Sequence, residues 1–178
     1  MPELTVYPLL PQFCQDEAVY FAASITPRLL LHVRNGQVVD WQGNLLAPSS
    51  EAEGLYVMDG HGSIFTTLSM DRDPEIVQAV EGRQLRHSSL VAGGPVAAAG
   101  LVTVSRGRLI SLNNESGHYA PPPSCLRAVL HQLAALGITR VDEIRIETHR
   151  RLEYEPEAVP SSRAAQATRP IVVRARRG

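Results

Sequence analysis

The chain has 178 residues, 44% of them hydrophobic, and a formal net charge of −1 at pH 7. This length and apolar content predict one domain with its own core, and a net charge near zero provides no overall field for binding nucleic acid or a membrane. Two cysteines exclude a disulfide framework, and the absence of a long apolar run and of a signal-peptide pattern predicts a soluble protein. We expect the domain over 15–150, an N-terminal arm over 1–14 and a basic, proline-containing tail over 151–178.

Glycine-centred turns predict three successive hairpins in the first two thirds of the chain. The first is centred on Asn35-Gly36, a pair that supplies the positive φ values of a tight turn. The second surrounds the turn over 59–62, and the third surrounds Ser105-Arg106-Gly107. Between them, the stretch from Leu85 to Leu90 is expected to form a strand.

Two helices are predicted, a short one over 75–80 and an amphipathic one from Cys125 to Leu136. The second has apolar residues at helical spacing, with Ser124 placed as its N-cap and Gly137 after its end. A last strand is expected over 141–148. Hairpins followed by a long helix predict an α+β fold, with a mainly antiparallel sheet built from hairpins and covered by that one long amphipathic helix.

The segment from Arg86 to Tyr119 is the main candidate for a functional site because it concentrates histidines, serines and glycines. Small residues allow a ligand to approach the backbone, and a histidine can act as a general base. Alternation along a strand would place His87 and Ser89 on one face and Ser88 on the other. We assign His87, Ser89, His118 and Tyr119 as catalytic residues and Ser88, Gly93, Gly94 and Ser116 as ligand-binding residues. In the alternative interpretation, the same residues only hold the sheet and its turns.

Four motifs in this region carry a resemblance to a known family: Gly54 to Asp59, His87 to Val96 with Gly100, Gly107-Arg108-Leu109, and Ser116 to Tyr119. In order and spacing they resemble a domain shared by plant IQ-motif calmodulin-binding proteins and by C-terminal regions of secreted bacterial and fungal toxins or effectors. No IQ motif is present in the sequence, and the basic IQ helix of the plant members lies outside the shared domain. The resemblance therefore implies an effector or toxin that acts on a protein target, either in the cytoplasm or after delivery into another cell by a specialised secretion system.

Two functions are weighed for this domain. One is a toxin-type transferase whose cleft acts on a nucleotide-like cofactor such as NAD or on a protein side chain. An ADP-ribosyltransferase-like enzyme of this kind would use Glu115 or Glu147 as the acid. The other is a non-catalytic protein-interaction module. A serine hydrolase lacks support because no Gly-x-Ser-x-Gly elbow surrounds Ser88 or Ser89. Six histidines without short paired spacing predict no metal site, and a tail of arginines without interleaved aromatic residues is not typical of nucleic-acid binding.

Overall fold

The computed structural model describes residues 6–12 and 18–149; the predicted tail over 151–178 and Cys14 lie outside the described residues. Within these described residues, seven strands form a two-stranded hairpin sheet and a five-stranded sheet of order β4-β3-β5-β6-β7. All pairs are antiparallel except β6 with β7, which is parallel. The strands are β1 (His32–Arg34), β2 (Gln37–Val39), β3 (Glu51–Met58), β4 (Ile64–Thr66), β5 (Ala98–Ser105), β6 (Arg108–Asn113) and β7 (Arg145–Glu147).

The three predicted hairpins are confirmed as β1–β2, β3–β4 and β5–β6. In the first of them, Asn35 and Gly36 have φ values of 53° and 75°, the left-handed pair that a two-residue turn requires. The expected strand over 141–148 shortens to β7, which follows a 3-10 turn at Val141–Glu143. β7 pairs parallel to β6 and is the edge strand of the five-stranded sheet on the side opposite β4.

The prediction of an α+β fold covered by one long amphipathic helix is wrong. The helices are small, α1 at Pro74–Val80 and α2 at Cys125–Ala135, and the fold is mainly β. The sequence pattern identified the place of α2, but this helix has three turns and buries only Leu126, Val129 and Leu133. A helix of that length cannot cover a sheet of five strands, so the rest of the cover comes from short elements and loops. No helix within the described residues is long and apolar enough to cross a membrane.

The five-stranded sheet is buried on both faces because successive residues of β3 and β5 alternate between two apolar clusters. Tyr56, Met58 and Val102 belong to the cluster that includes α2 and the β1–β2 hairpin. Val57 and Ala99 belong to the other cluster, which collects side chains from residues 21–29, from α1 and from the segment that contains the candidate site. The candidate site is thus part of the layer that closes one face of the sheet.

Candidate functional site

The candidate site lies in a 3-10 helix at His87–Val91, so the predicted strand from Leu85 to Leu90 is wrong. The amide nitrogen of Arg86 donates to Ser89 Oγ at 3.0 Å, and the amide of Ser89 donates to the carbonyl oxygen of Arg86 at 3.0 Å. A serine hydroxyl that bonds nearby backbone in this way stabilises a turn rather than an extended strand. The prediction that His87 and Ser89 share one face depended on the strand and is wrong. In a 3-10 helix the side chains of His87, Ser88 and Ser89 point in different directions.

His87 is bonded to the central strand of the sheet. Its Nε2 lies 2.9 Å from the carbonyl oxygen of Gly100 in β5, and because that oxygen only accepts, Nε2 carries the proton. Burial lowers the pKa of His87 to about 4, the bond to Gly100 opposes this shift, and the nearby His118 adds to it. His87 is therefore neutral at pH 7 and a weak base, which fits a side chain that fixes the 3-10 helix to the sheet.

Ser88 and His118 form a side-chain link between the two sequence motifs. Ser88 Oγ lies 3.0 Å from Nδ1 of His118, and Gln12 Nε2 from the N-terminal arm lies 3.4 Å from the same nitrogen. A serine beside a histidine is the geometry of an activated nucleophile, but here the serine has no solvent exposure and the histidine is 6% exposed. A substrate could not reach the hydroxyl of Ser88 unless the surrounding layer opened.

Tyr119 ties the second motif to the glycine turn that follows the 3-10 helix. Its buried hydroxyl donates to the carbonyl oxygen of Gly94 at 2.6 Å, and its amide nitrogen lies 3.4 Å from Ser116 Oγ. Burial and the neighbouring Tyr20 raise the pKa of Tyr119 to about 12. The phenol therefore stays protonated at neutral pH and acts as a hydrogen-bond donor within the fold.

The glycine turn is approached by the chain's own N-terminal residues. Gly93 has a φ of 78°, and a Cβ atom at this position would lie 3.1 Å from the hydroxyl oxygen of Tyr20 and 3.4 Å from Oε1 of Gln12. Glycine is needed here both for the left-handed backbone and for this close contact. The group that comes near the backbone of Gly93 is therefore a side chain of the same molecule.

A cleft of about 220 Å³ opens beside the two histidines. His87 and His118 line it together with Arg86 and Glu115, so the structure brings these predicted residues to one place. Glu115 is exposed and lies 3.6 Å from Nε2 of His149. Ser88, Ser89, Gly93, Gly94, Ser116 and Tyr119 do not line the cleft, and neither does Glu147, which pairs with Arg145 in β7.

Sequence reasoning missed two asparagines at the end of β6 that organise the second motif. Asn113 Oδ1 accepts hydrogen bonds from the amides of Leu101 and Glu115, and the backbone carbonyl of Asn113 accepts one from the hydroxyl of Tyr56. Asn114 donates to the carbonyl of Pro121 at 2.7 Å and accepts from the amide of His149. Asparagine side chains often bond to nearby backbone where a strand ends. The pair Asn113-Asn114 at the end of β6 is therefore a sequence signal that could have identified these residues.

A second cleft, of about 190 Å³, has a different character because charged residues line it. The buried carboxylate of Asp40 accepts bonds from the amides of Gln42 and Asn44 and lies 3.3 Å from Nη1 of Arg72. Burial opposes ionisation of Asp40, but these hydrogen bonds outweigh it and lower its pKa. Arg28 also lines this cleft and pairs with the N-cap residue of α1, Asp73, at 3.0 Å.

Neither metal chemistry nor a reactive thiol is supported in the part of the chain that the structure describes. No group of three or more His, Cys, Asp or Glu within residues 6–12 and 18–149 could hold a metal ion. Cys125, at the start of α2, is half-buried, and burial raises the pKa of its thiol. A raised pKa lowers the thiolate fraction and with it the nucleophilicity of the residue.

The comparison with known families decides the family of this domain. Residues 30–125, more than half of the chain, match the family described as the IQ motif-containing protein middle domain. The chain belongs to this family. Comparisons with curated proteins and with solved structures gave no match. The matched range contains the sheet strands β1 to β6 and both motifs of the candidate site, but it excludes the N-terminal arm and all of α2 except Cys125.

Proposed function

We propose that this middle domain is a non-catalytic protein-interaction module, in which the histidine, serine and glycine motifs hold the fold together. One observation carries the proposal: the polar side chains of the two motifs are bonded within the protein, although His87 and His118 also line a cleft. His87 bonds to Gly100, Ser88 to His118, Ser89 to Arg86 and Tyr119 to Gly94. Groups with partners of this kind stabilise a fold, whereas a catalytic group must face the position of a substrate.

The transferase hypothesis has less support. Ser88, Ser89 and Tyr119 have no solvent exposure, and a histidine whose pKa is about 4 is poorly matched to base catalysis at neutral pH. Of the two candidate acids, Glu147 is away from the cleft and Glu115 is an exposed residue at its rim. Membership of an IQ motif-containing protein family favours a role in protein assembly, so we propose a protein partner for the domain. The toxin or effector setting stays a prediction.

Two variants of the Ser88–His118 link distinguish the functions. We expect Ser88→Ala and His118→Ala each to lower the free energy of unfolding by about 1–3 kcal/mol, because each removes a bond between buried polar groups. His61→Gln is the matched control, since His61 is an exposed histidine in a turn and should leave stability unchanged. The measurements are urea unfolding and nicotinamide release from labelled NAD.

The wild-type chain is expected to release no nicotinamide above background. Nicotinamide release that disappears in both variants, while both unfold at the wild-type midpoint, would contradict the proposal and restore the transferase hypothesis.

A further inference from the structure

Residues 6–12, the described part of the N-terminal arm, lie on a surface of the domain that we call the seat. Gly60, Val96, His131 and Gln132 form this surface. The amide of Tyr7 donates to the carbonyl of Gly60 at 2.9 Å. Leu10 and Val96 form an antiparallel bridge in which each amide donates to the other residue's carbonyl, at 2.6 and 3.1 Å. The arm is therefore held by one isolated antiparallel bridge and one further backbone bond, beside the residues that lead into β5.

One side chain anchors the arm in this seat. Tyr7 is 8% exposed and belongs to the apolar cluster that contains α2. Its hydroxyl donates to Gln132 Oε1 at 3.2 Å and lies 3.3 Å from Nδ1 of His131. Leu9 lies against Gly60, where an added Cβ would come within 3.0 Å of the leucine side chain. An aromatic ring with a polar tip in a prepared pocket is the usual anchor of a protein interface.

The rest of the arm is held weakly. Over seven residues it makes three backbone bonds to the domain, and Pro8 and Pro11 have no amide hydrogen to donate. Val6 is 68% exposed and Leu9 is 50% exposed, so two of its large apolar side chains face solvent. Gln12 adds a side-chain contact to His118 at 3.4 Å. A segment with one buried anchor, one such side-chain contact and three backbone bonds opens at lower cost than a central strand.

The family match covers the residues that bind the backbone of the arm but not the arm itself. Gly60 and Val96, which supply every backbone partner of the arm, lie within the matched range 30–125, while the arm lies outside it. The family domain thus presents backbone groups that pair with another segment, and in this chain a segment outside the family domain pairs with them. Strand addition of this kind is a common way for a protein to bind a peptide.

We propose that the seat of the arm is the surface through which this domain binds its protein partner, and that the partner presents an extended, proline-containing segment with a tyrosine anchor. The tyrosine takes the pocket of Tyr7, and an amide three residues later takes the bridge to Val96. The arm competes with the partner for the seat. This inference rests on the proposed function, because it places the binding surface of the interaction module.

The test uses the full chain and a fluorescein-labelled peptide with the sequence of residues 6–12, VYPLLPQ. Tyr7→Ala removes the anchor of the arm, and Leu10→Pro removes the amide that donates to Val96 without changing the core. We expect each variant to bind the peptide at least tenfold more tightly than the wild-type chain does, because a tethered competitor lowers the fraction of open seats. Val6→Ala, a substitution at an exposed arm residue without such bonds, should bind like the wild type.

Peptide variants test the chemistry of the partner. Alanine in place of the tyrosine should abolish binding, and phenylalanine should weaken it several-fold because the bonds to His131 and Gln132 are lost. Amide exchange at Val96 should be faster in the Leu10→Pro chain and should slow again when the unmodified peptide is added.

Three outcomes would overturn this inference. If both variants stay folded and bind the peptide no better than the wild type, the arm is only a structural strand. If the phenylalanine and alanine peptides bind as tightly as the original, the seat does not select a tyrosine. If the wild-type chain self-associates and the peptide dissociates the oligomer, the occupant is the arm of a second copy. None of these depends on nicotinamide release, so failure here leaves the test of the proposed function intact.

Discussion

The two clefts of this domain show how differently a buried network and a charged surface network are built. Around His87 and His118, side chains bond to one another and to the backbone, and Ser88 between them has no solvent exposure. Around Asp40, a buried carboxylate pairs with the partly exposed Arg72, and the nearby pair of Arg28 and Glu75 is partly exposed. The first network joins the 3-10 helix to β5 and to the second motif, and the second joins Arg28 and Asp40 to the residues just before α1.

This difference predicts where substitutions cost most. A buried hydrogen bond that loses a partner leaves a polar group without water, whereas a surface ion pair that is broken is replaced by hydration. The histidine- and serine-rich motifs should therefore be more sensitive than the charged cleft, although the charged cleft contains more formal charge. Three substitutions or conditions test this ranking.

The largest effect is expected at Gly100, the residue of β5 that accepts the bond from His87. A Cβ atom here would overlap the backbone carbonyl of Asn113 and lie 3.0 Å from the ring of Tyr56. Because a backbone atom cannot move aside, Gly100→Ala should destabilise the fold by about 4 kcal/mol or more, measured by urea unfolding. Gly117→Ala is the control, since a Cβ there meets no atom within 4 Å. A Gly100→Ala chain as stable as the control would mean that β5 and β6 are not packed as described.

The second prediction concerns the pH dependence of the free energy of unfolding and the part of it that His87 causes. Its pKa is lowered to about 4 in the folded chain from 6.5 in the unfolded chain, so its contribution to stability is complete above pH 6.5 and is lost as the pH falls from 6.5 to 4. The loss should approach about 3 kcal/mol, from 1.36 kcal/mol for each pH unit. Unfolding measured across this range should show the slope in the wild type and a flatter profile in His87→Gln. Equal slopes in both chains would assign the acid sensitivity to other groups.

The smallest effect is expected in the charged cleft. Asp40→Asn keeps an oxygen for the amides of Gln42 and Asn44 but turns an amide group toward Arg72, so it should cost about 1–2 kcal/mol. Arg28→Gln, which breaks an exposed pair, should change the urea midpoint less than Asp40→Asn does. A larger loss at Arg28 than at Asp40 would reverse the expected order within this cleft.

The pKa of Asp40 is lowered in the folded chain, so its contribution to stability should be present above the ordinary aspartate pKa of 3.8 and be lost as the pH falls below it. This loss should occur at lower pH than the loss assigned to His87.

Much of the fold could be predicted because hairpins are specified locally. The turn of β1–β2 is encoded by two adjacent residues, and the spacing of leucines and valines in α2 records one buried face. The long covering helix was wrong because periodicity gives the buried face of a helix but not the area of sheet that it can cover. The parallel pairing of β7 with β6 was not predicted either, since it joins segments that are separated by α2.

The segment that contains both motifs could be singled out from the sequence, but its geometry was not predictable, and its role as a site stays a prediction. The composition of the segment indicated close backbone approach, and His87 and His118 do line one cleft. What approaches Gly93, however, is Tyr20 and Gln12 from the N-terminal part of the chain. No pattern within the motif indicates an occupant that lies more than seventy positions away.

The sequence by itself determined the hairpin turns, the place of α2 and the segment in which histidines, serines and glycines come together, because each depends on neighbouring residues. Only the tertiary structure decided that His87 begins a 3-10 helix, that Ser88 rather than Ser89 meets His118, and that the arm occupies an edge of the domain. These outcomes depend on which polar groups find partners when both faces of the sheet are buried. Such partners are brought together by the packing of the whole chain and leave no local pattern.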